Sequence, residues 1–314
     1  MIYVQMGGRL GNQLFNYASA RALQLAYYPD EQLCLDYGYL KREGKPENGW
    51  VDSLADYCVE PYLTHAKDGV MLHEGTIRQK VLASGYYLGL RKYNRFDMTA
   101  ELEYEKKWSR ALNSAGVYWY RTGYVDLGFS SERDKLMSGR FEAPEYFNNI
   151  RDVLIREFTP KRSTLAANNY IYDAAANPFS VCLSVRRGDF ESVPAYRALH
   201  SVCTRGYFLR AIEYFKRVFD KPVFILFSDD IEWVRENIPI SGCEVIYESG
   251  DDPVWEKLRM MSSCSNFIIS NSSFSWWSQW LSLSQEKIVV APNRWFNNDY
   301  KSPLITEEMV TLEP

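Results

Sequence analysis

From residue 179 onward, short apolar runs alternate with amphipathic stretches, and few folds accept that order. Segments 179–185, 223–227, 244–247, 267–270 and 287–291 read as strands. Segments 204–219, 231–237, 253–263 and 273–284 read as helices, the first with Phe208, Ile212 and Phe215 on one face. Strands alternating with helices predict βαβ units on a parallel sheet. The beginning of the chain shows the same grammar. Residues 2–6 form an apolar run suited to a buried strand, and Gly7-Gly8-Arg9-Leu10-Gly11 breaks it. Leu14, Ala18, Ala22, Leu25 and Ala26 then line one helical face, and 33–37 reads as a second strand. Two halves that each begin with a strand running into a special loop predict an α/β protein of two doubly wound domains facing each other. In such sheets ligands bind at the carboxyl ends of the strands.

Between these halves the pattern is less regular. Residues 40–125 are Tyr-rich and predict short helices, 124–129 a strand, and 142–158 a long helix ending near Pro160. The polar stretch 161–178 is the expected linker. It divides the 314 residues into domains 1–170 and 171–314, in keeping with about 150 residues per domain.

Composition removes several function classes. With 36 Lys and Arg against 40 Asp and Glu, the chain carries a formal charge of −4. A nucleic-acid partner, which calls for a basic footprint, is not expected. Aromatic residues reach 15%, which suits a sugar-stacking protein and an aromatic core equally. The six cysteines, at 34, 58, 182, 203, 243 and 264, show no C-x-x-C pairing and read as small buried hydrophobes. His65, His73 and His200 are not at ligand spacing, so no metal site is expected. Residues 1–5 lack the features of a signal peptide, and no run of 18 uncharged apolar residues occurs, so a cytoplasmic protein without a membrane span is expected.

Four loops after predicted strands carry the chemistry-bearing residues. The first, Gly7 to Gln13, is G-G-x-x-G-N, a weak match to a dinucleotide fingerprint, and no Walker lysine accompanies it. The second contains Arg186, Arg187, Gly188, Asp189 and Phe190. An arginine pair held at a strand end suits bidentate phosphate binding, the alternative being a surface ion pair with Asp189. The third, Ser228-Asp229-Asp230, offers carboxylates for Mg²⁺ or for a helix N-cap. The fourth runs Asn271-Ser272-Ser273-Phe274-Ser275-Trp276-Trp277. Its serines precede a helix whose N-terminus is an anion seat, the alternative being simple capping. Trp276, Trp277 and Trp280 are expected to pack that helix onto the sheet. Asn271-Ser272-Ser273 also matches a glycosylation sequon, which a cytoplasmic location would leave without meaning.

Together, Gly8-Arg9-Leu10-Gly11-Asn12-Gln13, Val185 to Phe190, Phe227 to Asp230 and Ser270 to Trp277 closely resemble the α-1,2-fucosyltransferases of glycosyltransferase family 11. Residues 258–264, Ala291-Pro292 and Trp295-Phe296 agree as well. The resemblance spans the first 25 residues and most of 180–300; the middle, where the acceptor is chosen, matches little. It implies a GT-B architecture of two Rossmann-like domains facing across a cleft, with residues 1–170 on the acceptor side and 171–314 holding GDP-fucose. It implies transfer of fucose, with inversion and without an essential metal or cofactor, to the 2-hydroxyl of a terminal galactose in a glycan. Arg186, Asp189 and Asn12 are then the expected catalytic residues: Arg186 steadies the departing diphosphate and Asp189 is the candidate base, its rival role being to orient Arg187. The expected donor-binding set is Arg9, Gly11, Gln13, Ser184, Arg187, Ser228, Asp229, Asp230, Asn271, Ser272, Ser273 and Phe274, with Asp229 and Asp230 placed to accept from guanine. In this family a histidine precedes the first arginine by two positions. Here that residue is Ser184, which hydrogen-bonds but neither stacks nor carries charge. Two other classes fit the residues: a related nucleotide-sugar transferase with another donor or acceptor position, and a non-catalytic carbohydrate-binding protein. A homo-oligomer is compatible with all of these.

Overall fold

The computed structural model describes residues 1–43, 49–65, 75–94 and 96–314, and His73 lies outside them. The chain forms two compact units, Met1–Thr159 and Pro160–Pro314. Each is built on its own parallel sheet.

In the first unit β1 (Ile2–Gln5) leads into helix α1 (Leu10–Tyr27), then β2 (Leu33–Asp36), α2 (Gly38–Glu43) and β3 (Leu63–Thr64). Helices α3 (Ile77–Leu90) and α4 (Met98–Ser114) follow, then β4 (Val117–Tyr120), β5 (Lys135–Gly139) and α5 (Arg151–Glu157). The strand order is β3-β2-β1-β5-β4, all pairs parallel. The chain therefore winds outward from β1 in one direction and returns on its other side. The switch point lies between β1 and β5.

The second unit runs α6 (Asn169–Ala175), β6 (Ser180–Val185), α7 (Gly188–Ser192), α8 (Pro194–His200), α9 (Arg205–Val218), β7 (Val223–Ser228), α10 (Ile231–Asn237) and β8 (Glu244–Tyr247). It continues with α11 (Val254–Ser262), β9 (Asn266–Ile268), α12 (Ser273–Leu281), β10 (Val289–Pro292) and β11 (Val310–Leu312). Its order is β11-β10-β9-β6-β7-β8, again all parallel, with the switch point between β6 and β9. Thr204 caps α9 by accepting from the Tyr207 N–H, and Phe208, Ile212 and Phe215 are buried against Val181, Leu183, Phe224 and Ile268. Each such side chain contributes roughly 1.5–3 kcal/mol by leaving water. Trp276, Trp277 and Trp280 are all buried, and Trp276 donates to the Leu304 carbonyl at 3.0 Å, so α12 is packed by its tryptophans as expected.

Several sequence expectations need correction. Residues 124–129 are not a strand. Their backbone is satisfied by side chains: Asn113 donates to the Asp126 carbonyl, Tyr118 to the Gly128 carbonyl, and the Val125 N–H donates to Tyr146. The strands here are β4 and β5, which flank that segment. The helix expected over 142–158 is confined to Arg151–Glu157. Phe141 lies in the left-handed region (φ 51°), Pro144 opens a short 3-10 turn, and Phe147 leaves helical geometry (φ −141°). The Tyr-rich stretch does hold short helices, α2 and a 3-10 turn over Leu54–Asp56, but its main elements are longer, α3 and α4 having 14 and 17 residues.

Residues 161–178 are not a free linker. Arg259 donates to the carbonyls of Arg162 and Ser163, Glu256 accepts from the Leu165 N–H, and Asp252 accepts from Asn168. The boundary between the units accordingly falls at Thr159/Pro160 rather than at 170/171. The final strand is β11, beyond 287–291. All six cysteines are free thiols; Cys34, Cys182 and Cys264 are buried, but Cys58 is exposed. Among the described residues no helix is long and apolar enough to cross a membrane.

Candidate active site

In the second unit the two loops that bound the switch point, after β6 and after β9, are the arginine and serine loops, and the loop after β7 adjoins the first. Crevices at such points are where open parallel sheets take their ligands. The backbone leaves β6 through Ser184, which is buried; its hydroxyl shares a 2.6 Å hydrogen bond with Ser275 on α12. Ser270 donates to the Ser184 carbonyl and accepts from the Arg186 N–H at 3.0 Å. Three serines thus tie the end of β6 to the start of α12 and set the direction in which the arginines emerge.

The arginine pair is held by three carboxylates. One Nη of Arg186 is 2.8 Å from Asp229, and the other bonds Asp189 three residues on. The Arg187 N–H donates to Asp229 at 2.9 Å, and its Nε donates to Asp230 at 3.2 Å. Its guanidinium lies 3.7 Å from the centre of the Trp233 ring. Asp230 also caps α10 by accepting from the Trp233 N–H, and Ser228 accepts from the Asp230 N–H at 2.9 Å. Gly188 brings the loop close to this carboxylate, since a Cβ there would lie 2.3 Å from an Asp229 oxygen. Asp189 therefore pairs with Arg186, three residues before it. The arginines keep 21% and 25% of their side-chain surface, and a guanidinium has five N–H donors, so Arg186 retains N–H groups for an incoming anion.

Next to Arg186 stands an aromatic group that sequence reasoning did not single out. Phe190 lies 5.5 Å from its guanidinium and stacks on His200 at 5.1 Å, and Phe296 meets the same histidine edge-on at 5.4 Å. Phe190, inside the arginine loop, and Phe296, in the Trp295-Phe296 pair, each had a signal in the sequence; His200, supplied by helix α8 (Pro194–His200), had none as a site residue.

The serine loop divides into two parts. Asn271 is 3% exposed, and its amide donates to the carbonyls of His200 and Trp295 while accepting from the Cys203 thiol. It serves as an internal clamp, and burial this deep leaves its sequon match without an accessible acceptor. Burial also pushes the Cys203 thiol up to about 12, leaving it inert as a nucleophile. Ser272 is the N-cap residue of α12 but makes no side-chain bond to the first turn, so simple capping does not account for its hydroxyl. Ser273 and Phe274 begin the helix and are half-buried.

In the first unit Gly8 (φ 68°) makes the turn after β1, and a Cβ on it would meet the Asn12 side chain at 2.7 Å. Arg9 is the N-cap residue of α1 and partly exposed. Gly11 and Gln13 are buried in α1. Gln13 donates to the Gly8 and Val51 carbonyls and accepts from the Ser53 N–H, so its amide holds two loops together. Its place in the expected donor-binding set is thus taken by an internal role. Among the described residues no three His, Cys, Asp or Glu side chains gather as a metal-holding group.

Two all-parallel α/β units, with charged loops at the strand ends of the second, define the chain as an α/β protein of GT-B type. The Bradyrhizobium fucosyltransferase NodZ shares this fold, with a TM-score of 0.50 at 12% identity, over 90% of this chain and 93% of that one. The family model "Glycosyl transferase family 11" matches residues 119–312, and the chain belongs to glycosyltransferase family 11. The O-antigen biosynthesis glycosyltransferase WbnK of Escherichia coli is 28% identical over 99% of this chain and 100% of its own length. An Escherichia coli alpha-1,2-colitosyltransferase is 26% identical, covering 95% and 93%. The galactoside alpha-(1,2)-fucosyltransferase 1 of Saimiri boliviensis boliviensis is 26% identical over 52% of this chain and 46% of its own.

Proposed function

We propose that the protein transfers L-fucose from GDP-fucose to the 2-hydroxyl of a terminal galactose, with inversion and without an essential metal. The observation that supports this most is the arginine pair at the switch point of the second unit, held in place by Asp189, Asp229, Asp230 and Trp233. Departure of GDP builds negative charge on the diphosphate. A cation already fixed where that charge develops stabilises the transition state more than the ground state. Arg186 takes this role, with Ser272, Ser273 and the first amides of α12 assisting. The second unit, 160–314, is then the donor side and the first the acceptor side. In this reading Arg9 and Asn12 are the first unit's candidates for contact with sugar.

The carboxylates take a different place from that expected of guanine readers. Asp229 and Asp230 spend oxygens on Arg186, Arg187 and α10, and so serve to aim the arginines. Asp189, bound to Arg186, fits the same positioning role better than that of base. Ser184 points at Ser275 and acts through the strand end rather than on the guanine.

A second reading has specific support. The similarity to an alpha-1,2-colitosyltransferase across nearly the whole chain favours a GDP-activated dideoxyhexose as the alternative donor, with the same linkage. Both are decided by incubating the full chain with GDP-fucose, GDP-colitose, GDP-mannose or UDP-galactose and a galactose-terminated disaccharide, with and without EDTA, and reading the linkage by NMR. We expect an α-1,2-fucosyl product that EDTA does not diminish. Exclusive use of GDP-colitose would replace the donor, and loss of activity in EDTA would return a metal to the Asp pair.

A further inference from the structure

The first unit has a crevice of its own at its switch point. It measures about 180 Å³ and is lined by the chain leaving β1 (Gln5, Met6, Gly7), the chain leaving β5 (Ser138, Gly139, Arg140), and Tyr39 and Arg121. Two guanidinium groups at one strand-end crevice are more than a neutral galactoside calls for. Arg140 makes no side-chain hydrogen bond or ion pair within 4 Å among the described residues. Arg121 faces Glu101 at 3.3 Å through Nε, with 41% of its side chain exposed. Gln5 accepts from Ser138 at 2.6 Å, which leaves its amide N–H groups unspent.

The loop that carries Arg140 is built to hold it there. Gly139 has no room for a side chain, since a Cβ would come within 1.8 Å of the Tyr120 carbonyl. Phe141 is held at φ 51°, the only non-glycine residue in the left-handed region among those described, with its ring buried and edge-on to Tyr146 at 5.4 Å. Backbone strain of this kind persists where the surroundings over-determine it, and it gathers at ligand sites. Glu142, the nearest carboxylate on the same loop, has its pKa raised by burial, an effect Arg140 partly opposes. Tyr39, 39% exposed and tilted against Trp50 at 6.0 Å, supplies an aromatic wall beside the cations.

We propose that this crevice is an acceptor subsite for an anionic sugar, one bearing a carboxylate or a phosphate, with Arg140 and Arg121 as the specificity-determining cations and Tyr39 as the stacking face. Its standing as an acceptor subsite rests on the fucosyl-transfer reading above; its anion selectivity does not. Charge-assisted, bidentate guanidinium contacts give the selectivity, and a neutral sugar in the same position gains none of it.

The test uses the full chain and three acceptors that share a terminal β-galactose: galactosyl-glucose, galactosyl-glucuronate and galactosyl-glucose 6-phosphate. Initial rates are taken with GDP-fucose, and binding of each acceptor without donor is followed by saturation-transfer NMR. We expect kcat/KM at least ~10-fold higher for an acidic acceptor, mainly through KM, with the carboxylate and phosphate arms showing which anion is preferred. Arg140→Gln combined with Arg121→Gln should bring the ratio to within about twofold of unity, and Arg140→Lys should keep part of it. Equal kcat/KM and equal binding for neutral and acidic acceptors would overturn the proposal, as would displacement of the bound acid by GDP alone, which would give the crevice to the donor. Acid-selective binding that depends on Arg140, without transfer from GDP-fucose, would sustain the subsite and sink the fucosyl reading.

Discussion

The two sheets put conspicuous polar loops at equivalent topological points but spend them differently. In the first unit the loop after β1 turns Gln13 inward, where all three of its hydrogen bonds go to the backbone of neighbouring loops. In the second, the side chains of Arg186, Arg187, Asp189, Asp229 and Asp230 retain between 21% and 42% of their surface. A polar residue in a glycine-rich loop is therefore as readily a fastener as a ligand. Partial exposure together with a fixed direction is what separates a site from a staple.

That contrast breaks most sharply at Arg186. Arg186→Ala should lower kcat/KM by ~10²–10³-fold, the cost of one lost transition-state donor, while the melting temperature moves little, because the side chain lies at a rim rather than in the core. A variant with near-normal kinetics would reduce the second unit's loop to a staple as well. Gln13→Ala should behave in the opposite way. Removing a buried amide strands the Ser53 N–H and two carbonyls and leaves a void, at about 4 kcal/mol of stability. Chemical denaturation measures that loss. Transfer by the fraction that remains folded should stay within about threefold of the parent, a difference below 1 kcal/mol in barrier.

The second unit was legible because periodicity and motif coincide there: strands β6 to β10 and helices α9 to α12 emerge within a few residues of their observed ends. The first unit resisted for a physical reason. Helix α4 turns Glu101 and Glu105 inward alongside Met98 and Leu112, so acidic residues occupy positions where an apolar stripe would have announced the buried face. The segment 124–129 carries strand-like residues, yet side chains of Asn113, Tyr118 and Tyr146 satisfy its backbone. Within the site, the arginine loop stood out in the sequence. Its partners in space, Trp233 and His200, did not, because the contact that defines each is made only once α10 and α8 have folded back. Asn271 misled in the other direction: it lies in the middle of the most distinctive motif and is fully spent on its own fold.

Glu105 sharpens the comparison from the first unit's interior. It accepts from the backbone of Arg121 and Thr122 and from Tyr86, yet burial pushes its pKa up to about 7. The folded state thus holds the proton more tightly than the unfolded chain. Its contribution to stability is complete below about pH 4.5 and is lost as pH rises through about 7. The loss amounts to up to about 3 kcal/mol. Melting temperatures across this range should fall more for the parent than for Glu105→Gln, whose curve should be flatter. Parallel curves would place the titration elsewhere.

The smallest expected effect decides what kind of carboxylate the second unit has. Asp189 bonds a guanidinium nitrogen of Arg186. In Asp189→Asn the amide oxygen still accepts from that nitrogen, so a carboxylate whose work is to aim Arg186 should be missed by only ~10-fold in kcat, about 1.4 kcal/mol. The acidic limb of the pH–rate profile should survive, because the group that takes the proton of the acceptor hydroxyl is then a different one. A carboxylate that takes the proton of the acceptor hydroxyl behaves otherwise: its amide cannot accept that proton, the loss should exceed ~10²-fold, and the acidic limb should vanish. A small loss with the limb intact makes Asp189 a positioning residue and moves the search for the base outside the arginine loop. A large loss with the limb gone makes the Arg186–Asp189 pair the resting form of a base that exchanges its partner when the acceptor arrives.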